Sequence, residues 1–420
     1  MKKTEQKYQA FVQILKEELI PAMGCTEPIS LAYGASIARK VLNHLPTKIV
    51  VEASGSIIKN VKSVIVPHTH HLKGIKAAVC AGIIGGNDDK YLEVLSQIDE
   101  KTKKEIDQYI EKVDFEEHFL DSSKVFDYII TVWNKKEYVK VRISDSHMHV
   151  VCIEKNGQIL QEEKSVVKKE KADRSLLDIK DIYDFIKTVE LTDILERQID
   201  YNYAIACAGL NDNYGANIGK VLLKSFGNDV KNKAKAYAAA GSDARMNGCE
   251  LPVVINSGSG NQGMTCSLPV IIYAQELKVS KEKMFRALAL SNLVAIHEKS
   301  GIGTLSAYCG AVSAATGAGA GIAYLYDEDY QAVIHTIVNT LANVSGIVCD
   351  GAKASCAAKI ASSVDAAILG YHMYKNGQEF KSGDGLVMEN VEATIQSVGR
   401  LGREGMRETN KEIIKMMIHE

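Results

Sequence analysis

Three cysteines late in the chain are the residues whose type and spacing point most directly to chemistry. Cys309 sits in a run of small residues, Y-C-G-A-V-S-A-A-T-G-A-G-A-G, and Cys349 and Cys356 frame the stretch C-D-G-A-K-A-S-C. Thiolates are soft ligands, and three on one rigid wall suit an iron–sulfur cluster with one iron left open. An open iron is a Lewis acid, so such a cluster can serve elimination as well as electron transfer. The spacing matches none of the dense ferredoxin-type runs. Free cysteine is also among the most buried residue types, so three core cysteines in small-residue helices would satisfy the same pattern. Spacing alone leaves both readings open.

A second constellation is Asn256-Ser257-Gly258-Ser259-Gly260-Asn261-Gln262-Gly263, which follows the apolar run Leu251 to Ile255 and precedes a helix. It contains G-x-G-x-x-G, but the flanking chain reads as helical and not βαβ, which argues against a dinucleotide site. Consecutive N–H groups at a helix N-terminus, with Ser and Asn side chains, make an anion cradle for a carboxylate or phosphate; a plain Gly-rich turn is the competing reading. Lys299 and Lys353 lie near the cysteines and would add positive charge beside a substrate carboxylate, unless they are solvated. A pyridoxal-phosphate Schiff base on one of them fits the helical setting poorly. Cys25 is a loop cysteine just before a helix, where the helix N-terminus lowers a thiol pKa; that suits a thiolate base or ligand. His68, His70 and His71 read either as a metal site or as a solvated or substrate-contacting turn. Y-G-A-N-I-G-K-V around Gly215 fails as a phosphate loop, and His297-Glu298 lacks the second histidine of a zinc-protease motif.

The elements that must position these residues fall into two parts. Helical periodicity covers Glu5 to Ile20, and Thr26 is placed to cap a helix running to Leu42 with Pro28 in its first turn. Thr47 to Ser54 and Asn60 to Val66 read as strands, Leu72 to Ile84 as a helix, and Asp88 to Lys112 as two charged helices. Residues 113–164 read as an antiparallel meander, with Asn156-Gly157 a hairpin turn. The charged run Lys164 to Arg174 is the expected domain boundary. Beyond it, helices are expected over Leu177 to Thr188, Leu191 to Ala208, Tyr214 to Phe226, Val230 to Met246, Gly263 to Leu277, Lys281 to Ile296, Thr304 to Tyr326, Tyr330 to Asn343 and Ala352 to Tyr374. The fold class is therefore α+β: an N-terminal α/β domain over 1–170 with a β-meander, then an all-helical domain over 171–420.

Composition narrows the function classes. In 420 residues, hydrophobics are 46% and charged residues 24%, ordinary for a globular protein. Aromatics are only 6%, which favours close-packed helices with small contact residues. A net charge of −2 argues against nucleic acid or anionic membrane as partner. Ser300 to Tyr326 carries no charge, but its Ala, Gly, Ser and Thr content suits a buried helix better than a membrane span. The start M-K-K-T-E-Q has no apolar signal core, so the cytoplasm is expected. There the nine cysteines are core residues, ligands or catalytic thiols and not a disulfide framework. Long helices rich in small residues make a homodimer the expected assembly.

Five motifs in one order, G-C-T-E-P, A-A-G-S-D-A-R-M-N-G, N-S-G-S-G-N-Q-G, L-S-A-Y-C-G-A-V-S-A-A-T-G-A-G-A-G and C-D-G-A-K-A-S-C, resemble the L-cysteine desulfidase family, a relative of the iron–sulfur L-serine dehydratases through their helical domain. The resemblance covers most of the chain and is most specific from Ala238 to Ile360. It implies an oxygen-sensitive 4Fe–4S cluster held by Cys309, Cys349 and Cys356, with Cys25 as proton acceptor. The implied reaction converts L-cysteine and water to sulfide, ammonia and pyruvate without pyridoxal phosphate. The residues then divide the work, with the Asn256 to Gly263 cradle and Lys353 on the small-molecule amino-acid substrate. One departure is Pro67-His68-Thr69-His70-His71, where relatives are expected to have a Gly-rich turn. If that turn borders the site, serine or threonine dehydration is the nearest alternative; a cluster-bearing sensor without turnover is the second.

Overall fold

The computed structural model describes residues 1–2, 5–162, 171–188, 192–303 and 306–418. The chain is α+β, with a six-stranded mixed sheet and its helices first and a largely helical region after it. Eight strands are present among the described residues: β1 (Pro21–Met23), β2 (Lys48–Ala53), β3 (Asp114–Phe119), β4 (Asp127–Asn134), β5 (Glu137–Ser144), β6 (Val150–Lys155), β7 (Gln158–Glu162) and β8 (Pro252–Val254). The large sheet runs β3-β2-β4-β5-β6-β7. The expected meander is therefore only partly right. β4 to β7 are antiparallel neighbours, but β2 is inserted between β3 and β4 and pairs parallel with β3. The hairpin at Asn156-Gly157 forms with both residues at positive φ, 52° and 81°, as a two-residue turn of that composition requires.

A second difference is local. The strand expected over Asn60 to Val66 is absent; instead Gly55–Val61 is a short helix. Its apolar residues Ile57 and Val61 are four apart and fully buried, so the β-branched run packs as a helical face. Lys59 on the same helix is only 1% exposed. Its Nζ donates to the Cys349 carbonyl at 3.3 Å and to Asn410 Oδ1 at 2.8 Å, so the C-terminal helix Arg407–Ile418 and the Cys349 loop meet on it. Elsewhere helix starts shift. Ala352 to Tyr374 becomes Cys356–Lys375, Gly263 to Leu277 becomes Gly260–Glu276, and the helix expected from Thr304 begins at Gly310. Thr304 itself lies outside the described residues, as do Leu191 and most of the Lys164 to Arg174 run.

The helical region is centred on Gly310–Asp327, which packs against Lys281–Ile302, Gly260–Glu276, Tyr330–Asn343 and Cys356–Lys375. Surrounded on all sides, it has no room for long side chains, which explains its Ala, Gly and Ser composition. A Cβ at Gly317 would overlap the Ser291 carbonyl oxygen. Among the described residues no helix is long and apolar enough to cross a membrane.

Two contacts set the Cys25 loop in place, one to the helical part and one within the sheet part. β1 pairs antiparallel with β8, placing Pro21–Met23, just before Cys25, against Pro252–Val254, just before the cradle. Helix Thr26–Leu42 lies on β4 and β5, where the Ser30 hydroxyl reaches both the Tyr128 hydroxyl and the His147 carbonyl.

Candidate active site

The G-C-T-E-P loop, the cradle and the three late cysteines line one cavity of about 120 Å³. Four helix N-termini converge on it. Cys25 is the N-cap of Thr26–Leu42, Ser259 of Gly260–Glu276, and Cys309 of Gly310–Asp327, while Cys356 opens its own helix. Each helix carries roughly half a positive charge at that end and N–H groups without intrahelical acceptors. Together they make the cavity a place for anions.

The cysteine wall is built by a two-segment bridge. Tyr308 pairs with Val348; Cys309 N–H donates to the Ile347 carbonyl at 2.8 Å and Cys349 N–H to the Ala307 carbonyl at 2.7 Å. The two thiols are in hydrogen-bond contact. Cys309 donates and is pushed well up, first by that contact and then by burial; Cys349 accepts and is pulled down by it, with the Lys59 charge assisting. Gly351 carries the chain past Lys59 at φ 95°, where a Cβ would overlap the Lys59 carbonyl oxygen. Among the described residues no three His, Cys, Asp or Glu side chains converge on one point to hold a single metal ion. A cluster makes a different demand, with each thiolate taking a separate iron. Three largely buried thiols along one cavity wall, one already favoured as thiolate, fit that demand.

Cys25 is buried and packs with Met246 and Val64, and Cys356 and Ala352 pack against that group. Its Sγ donates to Glu27 Oε2 at 3.1 Å. The lowered thiol pKa expected at a helix N-terminus is not what this setting gives. Burial, and then the Glu27 charge, push the Cys25 thiol well up, against the pull of Arg245. Glu27 behaves in the opposite way. Burial would raise it, but His147 and the Cys25 thiol hold the carboxyl down at about 2. His147 Nε2 stands 3.9 Å from Glu27 Oε1, an ion-pair distance longer than a hydrogen bond, and Asn60 Nδ2 donates to the same oxygen at 3.3 Å. The imidazole is fixed by edge contact with Phe126, ring centroids 4.8 Å apart, and by the Ser30 bond to its backbone.

The cradle is a tight turn feeding a helix. Asn256 and Ser259 exchange backbone hydrogen bonds of 3.1 and 3.0 Å, and Ser257 and Gly258 between them have φ of 49° and 77°. Thr26 Oγ1 donates to the Gly258 carbonyl at 3.0 Å, joining the two loops. Ser257, Gly258, Ser259, Asn261 and Gln262 line the cavity. Asn256 does not: it is fully buried, its Nδ2 donating to Asn292 Oδ1 at 2.9 Å within a Gln198–Asn292 amide network. Gly260 does not line the cavity either, but a Cβ there would overlap Nε of Arg245, which does. Lys353 also points elsewhere, pairing with Asp350 Oδ1 at 2.5 Å. Lys299 does line the cavity; burial brings its ammonium down to about 8, and it donates to the Gly303 carbonyl at 2.5 Å.

Sequence reasoning passes over Glu27, Asn60, His147 and Arg245. Glu27 and Arg245 stand inside quoted motifs, and a charge in the Ala-rich run K-A-Y-A-A-A-G-S-D-A-R is a usable signal. His147 and Asn60 reach the site only through the fold. The His68 to His71 turn does not line the cavity. It backs the Cys25 loop, with Pro67 against Gly24, while His68 faces Glu250 at 3.5 Å and His70 bonds Asp107 at 2.5 Å. Beside the cavity a second one of about 640 Å³ shares His147, Ser257, Gly258 and Lys299 with it and opens past Arg174 and Glu18.

Residues 89–415 match the serine dehydratase alpha chain family. The chain belongs to that family. The match takes in Arg245, the cradle and all three late cysteines; Cys25, Glu27 and Asn60 precede it. Similarity to whole relatives extends through that earlier part. A UPF0597 protein of Desulfitobacterium hafniense is 56% identical over 425 residues, covering 100% of this chain and 99% of its own. One from Lachnoclostridium phytofermentans is 50% identical, covering 98% and 100%, and one from Treponema denticola 44%, covering 98% of each. In this serine dehydratase alpha chain family member the earlier residues thus line the same cavity as the cysteine wall of the matched region.

Proposed function

We propose that the protein is an iron–sulfur-dependent lyase that eliminates the β-thiol of L-cysteine, giving sulfide, ammonia and pyruvate. The observation that carries the reading is the single cavity on which Cys25, the cradle and the three-cysteine wall converge. Cys309, Cys349 and Cys356 would hold a 4Fe–4S cluster, which when bound supplies an open iron as Lewis acid at the substrate's β-substituent.

The chain's own residues supply the rest. The turn and helix N-terminus at Ser257 to Gln262 hold the α-carboxylate and fix which face of the α-carbon meets Cys25. Cys25 rests as a thiol, so it accepts the α-proton as its own proton passes to Glu27 Oε2, 3.1 Å away. His147 and Asn60 both face Glu27 Oε1, which leaves Oε2 aimed at Cys25. Because the His147 contact favours the carboxylate, Glu27 carries the proton only in passing and gives it up as the sulfide leaves. Loss of the α-proton and of the β-thiol as hydrogen sulfide leaves aminoacrylate. Its imine tautomer takes up water to give ammonia and pyruvate.

The family's description favours a second reading, L-serine dehydration at the same site, in which water replaces hydrogen sulfide as the leaving group. Anaerobically reconstituted protein supplied with each amino acid separates the two. The first reading expects sulfide and pyruvate in equal amounts from L-cysteine and little pyruvate from L-serine; the reverse preference establishes the second. Cys25→Ala and Glu27→Gln are each expected to keep the wild-type iron content and lose turnover by at least roughly 100-fold. Unchanged turnover in either removes that residue from the proton path.

A further inference from the structure

Arg245 is the largest fully buried side chain of the protein's described residues, and only 2% exposed. Its Nη1 donates to Asn261 Oδ1 at 3.1 Å, yet Nε and Nη2 have no hydrogen-bond partner although both are buried. A guanidinium without a full set of acceptors is costly in a protein interior. The fold nevertheless makes space for it: Gly260 must lack a Cβ because Arg245 Nε and Cδ occupy that position. The side chain lines the cavity beside the N-terminus of Gly260–Glu276, and its charge acts on the Cys25 thiol, which lines the same cavity. Nε and Nη2 are the two nitrogens of one edge of the guanidinium fork, and a carboxylate is the group that accepts from such an edge in bidentate fashion.

We infer that Arg245 binds the α-carboxylate of the substrate through Nε and Nη2, and that this pairing selects α-amino acids carrying a free carboxylate. The inference rests on the elimination reading for the identity of the ligand. It adds a charged anchor to the cradle, whose own groups are neutral, and Asn261 is the residue that positions it.

The test uses L-alanine, which has no leaving group, and L-alaninamide, which lacks the carboxylate charge. Each is titrated calorimetrically into reconstituted wild-type and variant protein. Wild type is expected to bind L-alanine at least roughly 30-fold more tightly than L-alaninamide. Arg245→Gln is expected to erase that preference by weakening L-alanine alone, and Arg245→Lys, which keeps charge without the planar fork, to recover part of it. Equal binding of the two probes by wild type, or no binding of L-alanine, overturns the inference even if both variants fail to fold. An Arg245→Gln protein that retains the preference overturns it as well, as does one whose L-alanine affinity is unchanged while the pH profile of kcat shifts; that result assigns the charge to the Cys25 thiol. Failure of the elimination reading looks different: no pyruvate from either amino acid while wild type still prefers L-alanine.

Discussion

Cys25 and Asp243 are two buried acids of this chain whose surroundings favour the protonated form. Burial raises the Asp243 carboxyl to about 6, although backbone bonds from Gly219 and Ile218 pull the other way; Oδ2 accepts from Gly219 N–H at 3.1 Å and Oδ1 has no partner. Between the ordinary carboxylate value and about 6 the folded chain holds a proton there that the unfolded chain has released. Stability from this group is therefore present at low pH and falls as pH rises through that window, by roughly 3 kcal/mol. Asp243→Asn is expected to raise the thermal midpoint relative to wild type at pH 7.5 more than at pH 5; parallel profiles contradict this. Residue types alone bring out the three cysteines, because few other patterns ask for soft ligands. They do not bring out Arg245, whose significance is its burial without partners, a property of packing and not of sequence.

Most elements of this chain announce themselves because each has a single period and clear stops. Val230–Met246 and Tyr330–Asn343 begin and end where the pattern places them. Gly55–Val61 does not, because β-branched residues four apart serve a strand or a helix equally until Lys59 finds partners in the Cys349 loop and the C-terminal helix. The cradle is legible as a Gly-rich turn before a helix, but which of its residues face the cavity is settled by the Asn292 network behind it. Helix Thr26–Leu42, which presents Cys25 and Glu27, is set in place by close approach to Gly74–Gly85, where a Cβ at Gly82 would overlap the Ala32 carbonyl. Gly82→Ala is expected to cost about 1–3 kcal/mol of stability. Because backbone and not a flexible side chain must move, kcat is expected to fall with it. A variant with wild-type melting temperature and turnover contradicts that account of the helix pair.

At the scale of the whole molecule, the site belongs to neither part alone. The sheet part brings Cys25, Glu27, Asn60 and His147; the helical part brings the cradle, Arg245 and the cysteine wall, and the β1–β8 pairing aligns the two loops. The measurement that tests the central claim most directly is iron and acid-labile sulfide per chain after anaerobic reconstitution. It is made on wild type, on Cys309→Ala, Cys349→Ala and Cys356→Ala, and on Cys25→Ala, with pyruvate followed in each. The account predicts about four irons and four sulfides in wild type and in Cys25→Ala. It predicts loss of cluster and product in the other three, and loss of product alone in Cys25→Ala. A wild-type protein that takes up no cluster, or a cluster retained in full when any of the three wall cysteines is removed, would contradict it.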